Sequence, residues 1–424
     1  MRLLHAADLH LDSQLKGMCR YEGAPDCEPA EATRTALRRV VDYAVRYRVD
    51  LVLIAGDIYD ADWNDYNTGL FFVQQMALLR EAGIPVVIIR GNHDAANRIT
   101  RHLRLPDTCY VLPHERPDTI VFDALGIAVH GQSFGRQHVT ENLAAAYPPP
   151  RSGFVNVGLL HTALTGREGH EPYAPCRPED LLEKGYHYWA LGHVHRFEIV
   201  NGSEGRAVFS GNTQGRHANE TGAKGVVLVE LDHAGTPQTT FLATHAIRWE
   251  QLVVDASACR TEDDVYEVLE QALLGVVSQS ADGDEVLALR VRFTGTTPVD
   301  TTLRADRERW IAEARGMAVD VGGGRLWIET VRVETVQPRA RSAQSATWKT
   351  LLDELIAGVP LSEWQQILAE DEDLRKLRGG IRRRLKRDFD ASLEQPQWLE
   401  QAVQDARALL QRVLHEQEPG AGLR

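Results

Sequence analysis

Hydrophobic and polar positions follow two rhythms along the first 250 residues. Short β-branched runs, "DLVLIAG" (50–56) and "PVVIIRG" (85–91), flank a helical pattern over 66–82, which is the strand–helix–strand grammar of a layered α/β domain. Further on, "TIVFDALGIAVHG", "FVNVGLLH", "YWALGH", "RAVFSGN" and "GVVLVEL" follow with few helices between them, which predicts a second sheet packed on the first. The proline-rich "AYPPPRSG" (146–153) reads as a surface crossing between the two sheets. From about Gln251 the pattern changes to strand (251–255), helix (262–278), strand (286–294), helix (about 300–315) and strand (325–335). Thr261 with Asp264 three residues on predicts the start of the first of these helices.

After "VQPRARSAQSA" the pattern is helical only. Trp348, Leu351, Leu352, Leu355 and Ile356 make one apolar stripe, and Leu399, Val403, Ala406, Leu410 and Leu414 another. The expected organisation is therefore an α/β/β/α sandwich over 1–250, a small α+β domain over 251–340 and a C-terminal helical region over 341–424. A chain of 424 residues with 43% hydrophobic content exceeds a single core, which agrees with two or three domains.

Composition narrows the setting. No apolar run is long enough to span a bilayer, and "MRLLHAADLHLD" is broken by Asp8 and His10 too early for a signal-peptide core, so a cytoplasmic, membrane-free protein is expected. Five scattered cysteines without a CxxC pair fit a reducing compartment and argue against structural zinc. The net charge of −13 argues against a simple basic-patch nucleic-acid binder, but local clusters decide binding. One such cluster, "LRKLRGGIRRRLKR" (374–387), holds eight Lys or Arg in fourteen residues directly after the acidic "EDED" (370–373). Most charge runs are solvated faces; here Ile381, Leu385 and Phe389 recur beneath the arginines, as in an amphipathic helix with a basic side.

Five segments place metal-binding residue types at the ends of apolar runs: "HAADLH" (Asp8, His10), "AGDIYD" (Asp57), "RGNHD" (Asn92, His93, Asp94), "GLLHT" (His161) and "LGHVH" (His193, His195). Strand alternation would turn Asp8 with His10, and His193 with His195, toward a common point. Strand carboxyl ends converge on one crevice in open α/β sheets. The resulting set of donors is too large for one tetrahedral ion and suits two ions about 3.5–4 Å apart, with Asp57 as the bridge. Oxygen and imidazole donors without thiolate favour manganese, with iron and zinc as alternatives. Any one of these histidines taken alone is more often an ordinary core or surface residue; it is the five segments together that point to a site.

The series DxH, GD, GNHD, H and GHxH resembles the calcineurin-type metallophosphoesterase superfamily, and within it the DNA-repair exonucleases typified by the bacterial SbcD nuclease. "YAPCRPEDL", "YWALGHVH" and "GNTQGRHANETGAKG" resemble the YhaO-like branch, so the likeness covers most of residues 1–250. By position it implies one metal on Asp8, His10, Asp57 and His195, and the other on Asp57, Asn92, His161 and His193. His93, left without a metal, is the implied transition-state residue, oriented by Asp94 unless Asp94 caps the following helix. In archaeal and eukaryotic relatives the residue three after the bridging Asp is often a substrate-handling His; here it is Asp60, as in SbcD-like sequences. Arg216 and His217 are candidates for phosphate contact. His5, His130, His138, His170 and His187 match no motif position.

The resemblance implies a two-metal phosphodiesterase acting on DNA, an exonuclease with single-strand endonuclease activity as an addition. Its C-terminal helices would dock the coiled-coil base of an SMC-like ABC ATPase, and a second copy of the chain is an admissible partner. Two other classes compete: a small-molecule or protein phosphoesterase, which the metal motifs equally serve, and a non-catalytic DNA-binding subunit of an ATPase complex. The extra α+β domain and the basic run favour a polymeric substrate over a metabolite.

Overall fold

The computed structural model describes residues 1–60, 66–96, 104–164, 173–279 and 285–338, with Pro360, Glu363 and residues 404–406. The basic run at 374–387 and both C-terminal stripes lie outside the described residues, apart from the exposed, helical Ala406.

Four parallel strands, β1 (Arg2–Ala6), β2 (Leu51–Ala55), β3 (Val86–Ile89) and β4 (Cys109–Val111), form the centre and one side of the first sheet. The next six strands make a second sheet: β5 (Asp118–Phe122), β6 (Ile127–Gly131), β7 (Val155–His161), β8 (Tyr188–Gly192), β9 (Glu198–Ile199) and β10 (Ala207–Phe209). Their order is β5-β6-β7-β8-β10-β9, with parallel pairing from β6 through β10 and antiparallel edges. The chain then returns: β11 (Gly225–Leu231) pairs antiparallel with β1, and β12 (Pro237–Ala243) pairs with β11 at the sheet edge. "GVVLVEL" therefore belongs to the first sheet, not the second. Its near-continuous burial reflects a strand covered on both faces, a pattern that does not say which sheet the strand joins. "AYPPPRSG" likewise connects β6 to β7 within the second sheet and does not cross between sheets.

The two sheets pack face to face. Leu3, Leu53, Val87, Val129, Leu159, Ala190 and Val227 alternate inward from both to form the central core. Helices α1 (Ala32–Arg46) and α2 (Tyr66–Glu81) cover the outer face of the first sheet. Ala36, Leu37, Val40, Val41 and Ala44 form the buried stripe of α1, at the spacing a helix needs to present one face. Between the strands lie two short helices, α3 (Asn92–Ala96) and α4 (Pro178–Leu182). The outer face of the second sheet buries Trp189, Leu191 and Phe209 against Leu181 of α4 and Ala144 and Tyr147 near a 3₁₀ turn, so this outer layer is thinner than the first. The layers are those of an α/β/β/α sandwich.

The remaining described elements are β13 (Ile247–Asp255), α5 (Glu262–Gln279), β14 (Val286–Thr294), α6 (Asp300–Ala305), α7 (Arg307–Gly322) and β15 (Leu326–Val333). The strands form a three-stranded sheet in the order β13-β14-β15. At the start of α5, Asp264 N–H donates to Thr261 Oγ1 while Asp264 Oδ2 accepts from Thr261 N–H, a reciprocal cap. The helix expected over about 300–315 is two helices. Asp306 leaves the helical region (φ −135°, ψ 54°) and its carboxylate accepts from Arg309 N–H, starting α7. The described residues divide into two compact units, one within Met1–Gln251, 285–290 and Gly324–Glu329, the other within Leu252–Gln279, Val291–Gly323 and 330–338. Among the described residues no helix is long and apolar enough to cross a membrane.

Candidate metal centre

The parallel strands β1, β2 and β3 end at one edge of their sheet, and β7 and β8 end at the facing edge of the other. Asp8 and His10 follow β1, Asp57 follows β2, Asn92 opens α3 after β3, His161 closes β7, and His193 and His195 follow β8. The glycines of the GD, GN and GH pairs allow this convergence. A Cβ on Gly192 would stand 2.0 Å from the Ala55 carbonyl oxygen, and one on Gly91 2.2 Å from Asp57 Oδ1. Strand alternation is not what aims the donors. Asp8 (φ 50°), His10 (φ 40°), Asp57 (φ 52°) and His193 (φ 94°) all occupy positive-φ backbone, beyond the strands themselves. Such conformations are costly for residues with a Cβ and gather where a site is over-determined by its surroundings.

Asp8, His10, Asp57, Asn92 and His161 are all buried. Asp57 Oδ1 accepts from His93 N–H at 2.9 Å, leaving Oδ2 to face His161 Nε2 at 3.4 Å and His10 Nε2 at 3.9 Å. Asp8 accepts from His193 N–H at 2.9 Å and stands 3.9 Å from His195 Nε2. Among the described residues three groups have ligand atoms within 4.8 Å of one another: Asp8, His10 and His195 in the first, Asp8, Asp57 and His161 in the second, and His10, Asp60 and His93 in a third at the rim. Asn92 Oδ1 joins the second at 2.9 Å from His161 Nε2, and the His193 ring lies 5.3 Å from that of His161, centroid to centroid. Burial raises Asp8 to about 6 against the pull of His195 and His161. Burial acts the same way on Asp57, but His161, His10 and His93 overcome it and hold that carboxyl below the usual carboxylate range.

The donor chemistry calls for cations. His10 Nδ1 lies 2.6 Å from Asp60 Oδ1 and His195 Nδ1 2.8 Å from Glu220 Oε1; both carboxyls sit below their ordinary range despite burial, so each Nδ1 carries the proton. The two Nε2 atoms then face each other at 3.2 Å, and with both rings neutral each presents a lone pair. That spacing is within the span of two nitrogens each about 2.0–2.1 Å from one ion. His161 Nδ1 donates to the Ala55 carbonyl at 2.9 Å, so its Nε2 faces only acceptors, Asn92 Oδ1 and Asp57 Oδ2. The first and second clusters each fit a divalent ion.

The motif neighbours fall out differently. Asp94 does not reach His93: its carboxylate accepts from Ile58, Tyr59 and Gly91 N–H groups at 3.0 Å each and so ties the ends of β2 and β3 together. It sits inside α3 and does not cap it. The carboxylate that faces His93 is Asp60, 3.7 Å from Nδ1. Arg216 reaches Asp60 Oδ1 at 3.1 Å, and His217 lies 3.5 Å from Glu220 at the rim. Sequence reasoning missed Glu220 and Lys224. Glu220 fixes His195 and accepts from Asn212 Nδ2 and Arg216 N–H, while Lys224 Nζ donates to the His195 carbonyl at 2.7 Å. Their only signal was membership of the "GNTQGRHANETGAKG" phrase. Of the unassigned histidines, His5 lies buried between the sheets, donating from Nε2 to the Leu191 carbonyl and accepting at Nδ1 from Tyr188 Oη, and His130 stacks on Tyr186.

Comparison with known proteins agrees with this geometry. The calcineurin-like phosphoesterase family matches residues 1–197, and the middle domain of metallophosphoesterase YhaO matches residues 249–336. The uncharacterized metallophosphoesterase YhaO of Bacillus subtilis is 32% identical over 301 residues, 70% of this chain and 72% of the relative. The DNA double-strand break repair protein Mre11 of Methanopyrus kandleri is 25% identical, covering 76% of this chain and 72% of its own. One component of the SbcCD nuclease of Bacillus subtilis is 23% identical over 54% of this chain and 66% of its own.

Proposed function

Because the chain belongs to the metallophosphoesterases of the YhaO type, within the calcineurin-like phosphoesterases, we propose that it hydrolyses DNA phosphodiester bonds as a two-metal exonuclease. The observation that carries the reading is the pair of donor clusters that share Asp8, with Oδ2 of Asp57 in the second also facing His10 of the first. The relatives named for double-strand break repair and for nuclease activity favour DNA over other phosphate esters. Asp8, His10, Asp57 and His195 would hold one ion and Asp57, Asn92, His161 and His193 the other, manganese being the first choice for this thiolate-free set. When bound, the ions supply Lewis acidity toward the phosphoryl oxygens and lower the pKa of water.

The side chains do the rest. The backbone N–H of His93 pins Oδ1 of Asp57 and leaves Oδ2 aimed inward, while the N–H of His193 straddles both oxygens of Asp8 and holds that carboxylate in place. His93, about one third exposed and facing Asp60 through Nδ1, would deliver a proton from Nε2 to the departing oxygen, with Asp60 stabilising the imidazolium. The C-terminal region would dock an SMC-like ATPase. Incubating the full chain and manganese with linear duplex DNA, single-stranded DNA and bis-p-nitrophenyl phosphate tests the reading. Cleavage of DNA that a chelator stops is expected. Cleavage of the small diester alone would favour a small-molecule phosphoesterase, and two bound ions without any cleavage a DNA-binding subunit.

A further inference from the structure

Two imidazoles of the first cluster are held by one closed ring of charged side chains. Asp60 Oδ1 lies 2.6 Å from His10 Nδ1, and Glu220 Oε1 lies 2.8 Å from His195 Nδ1. Arg216 lies between the two carboxylates, donating from Nη1 to Asp60 Oδ1 at 3.1 Å, with Nε 3.8 Å from Glu220 Oε1, an ion pair beyond hydrogen-bond reach. Across the ring the two Nε2 atoms face each other at 3.2 Å. The Glu220 end is anchored further by Asn212 Nδ2 and by the backbone N–H of Arg216 itself, both at 2.8 Å. The Arg216 carbonyl accepts from Lys16 N–H at 2.8 Å, so the loop that carries the guanidinium is fixed at both its N–H and its carbonyl.

We propose that Arg216 is a positioning residue that sets the spacing of His10 and His195, and through them the affinity of one of two metal positions, and is not a phosphate-binding cation. The inference rests on the two-metal reading above. A guanidinium lying between two carboxylates has its charge compensated and its side chain four-fifths covered, which leaves little field for an incoming phosphate. What it does provide is a rigid fork. It relieves the repulsion between Asp60 and Glu220 and fixes the distance between them, and each carboxylate in turn fixes one ring. Without it the two carboxylates separate, the rings rotate and the facing nitrogens open.

Manganese(II) titration of the full chain by calorimetry, with Arg216→Met, Arg216→Lys and Glu220→Gln, tests this. The parent should bind two ions. Arg216→Met should bind one at parental affinity and the other about 10- to 100-fold more weakly. Arg216→Lys, which can reach one carboxylate only, should fall between, and at saturating manganese the KM for bis-p-nitrophenyl phosphate should stay near the parental value. Two ions at parental affinity with a raised KM would return Arg216 to phosphate binding and overturn the proposal; so would equal weakening of both ions. If Arg216→Met does not fold, judged by thermal unfolding of the metal-free chain, the shape-conserving Glu220→Gln decides: weakening of one ion supports the ring, unchanged affinity refutes it. A parent that binds fewer than two ions would sink the two-metal reading itself, a result distinct from any of these.

Discussion

His161 should make the metal-free protein lose stability as the solution turns alkaline. The ring is fully buried, with Nε2 between Asp57 Oδ2 and Asn92 Oδ1. Burial disfavours its charged form, but the Asp57 and Asp8 carboxylates outweigh this and raise the pKa from 6.5 to about 9. The folded chain thus keeps a proton that the unfolded chain releases earlier. The stabilisation is complete below about pH 6.5 and is lost as pH rises through about 9. A rise of that size corresponds to roughly 3 kcal/mol. Asp8, raised to about 6 from 3.8, contributes stability that is complete below about pH 3.8 and already lost as pH rises through about 6. His10, lowered to about 4 by burial and Arg216, contributes stability that is lost only as pH falls below 6.5. Neither titrates in the alkaline window, whereas Asp94, raised to about 7 by burial and by Asp57, adds a smaller fall near neutrality that does not depend on the His161 ring. Guanidinium unfolding of the chelator-treated chain, followed by the buried Trp189 and Trp249, should show a fall between pH 6.5 and 9 that is about 3 kcal/mol larger in the parent than in His161→Gln. A divalent ion takes the place of this proton, so manganese calorimetry in buffers of different ionisation enthalpy should register about one proton released from this ring at pH 7.5. A flat parental profile, or a slope above pH 8 in His161→Gln as steep as the parent's, would refute the assignment of the charge to this ring.

Further outcomes can be checked alongside. Asp57→Ala should abolish binding of both ions, because the shared oxygen is removed; elemental analysis that still finds two ions per chain would contradict it. His93→Ala should retain both ions and lose most turnover, and a variant that cleaves DNA at the parental rate would remove His93 from the chemistry. Gly158→Ala puts a Cβ 2.2 Å from the ring of the fully buried Trp189 and should destabilise the chain by about 1–3 kcal/mol in the same unfolding assay, without changing the identity of any metal donor. Removing residues 375–424 should spare hydrolysis of a small diester while making DNA binding less salt-dependent, since eight cations of the basic run are lost; equal salt slopes would assign that run to a solvated face.

The donors could be read from sequence because each sits where an apolar run stops, and a buried strand end rarely leaves His or Asp without a task. Asp57 and His161 are the clearest examples. The reason the donors converge could not be read in the same way. Alternation along a strand fails beyond the strand, and only the positive-φ turns at Asp8, His10 and His193 bring those side chains round. Asp94 and Asp60 exchanged expected places because adjacency in sequence says little about contact: Asp94 turns back onto backbone N–H groups, whereas Asp60, on another element, faces His93. Glu220 was invisible since one carboxylate in a glycine-containing loop carries no periodic signal. In the fold, β11 was assigned to the wrong sheet because a strand buried on both faces reads alike wherever it pairs.

The left-handed backbone at Asp8, His10, Asp57 and His193 also bears on how this protein can change over generations. A glycine, which has no Cβ, would occupy each of those positions with less steric conflict, by up to about 1–2 kcal/mol per residue. The substitutions that silence the centre are therefore among those that relax the chain. A population selected only to survive heat should lose these four residues early, and a duplicate gene freed from catalytic duty should drift toward a sturdier, inert form of the same sandwich. Keeping all four in place requires continual selection for the chemistry itself.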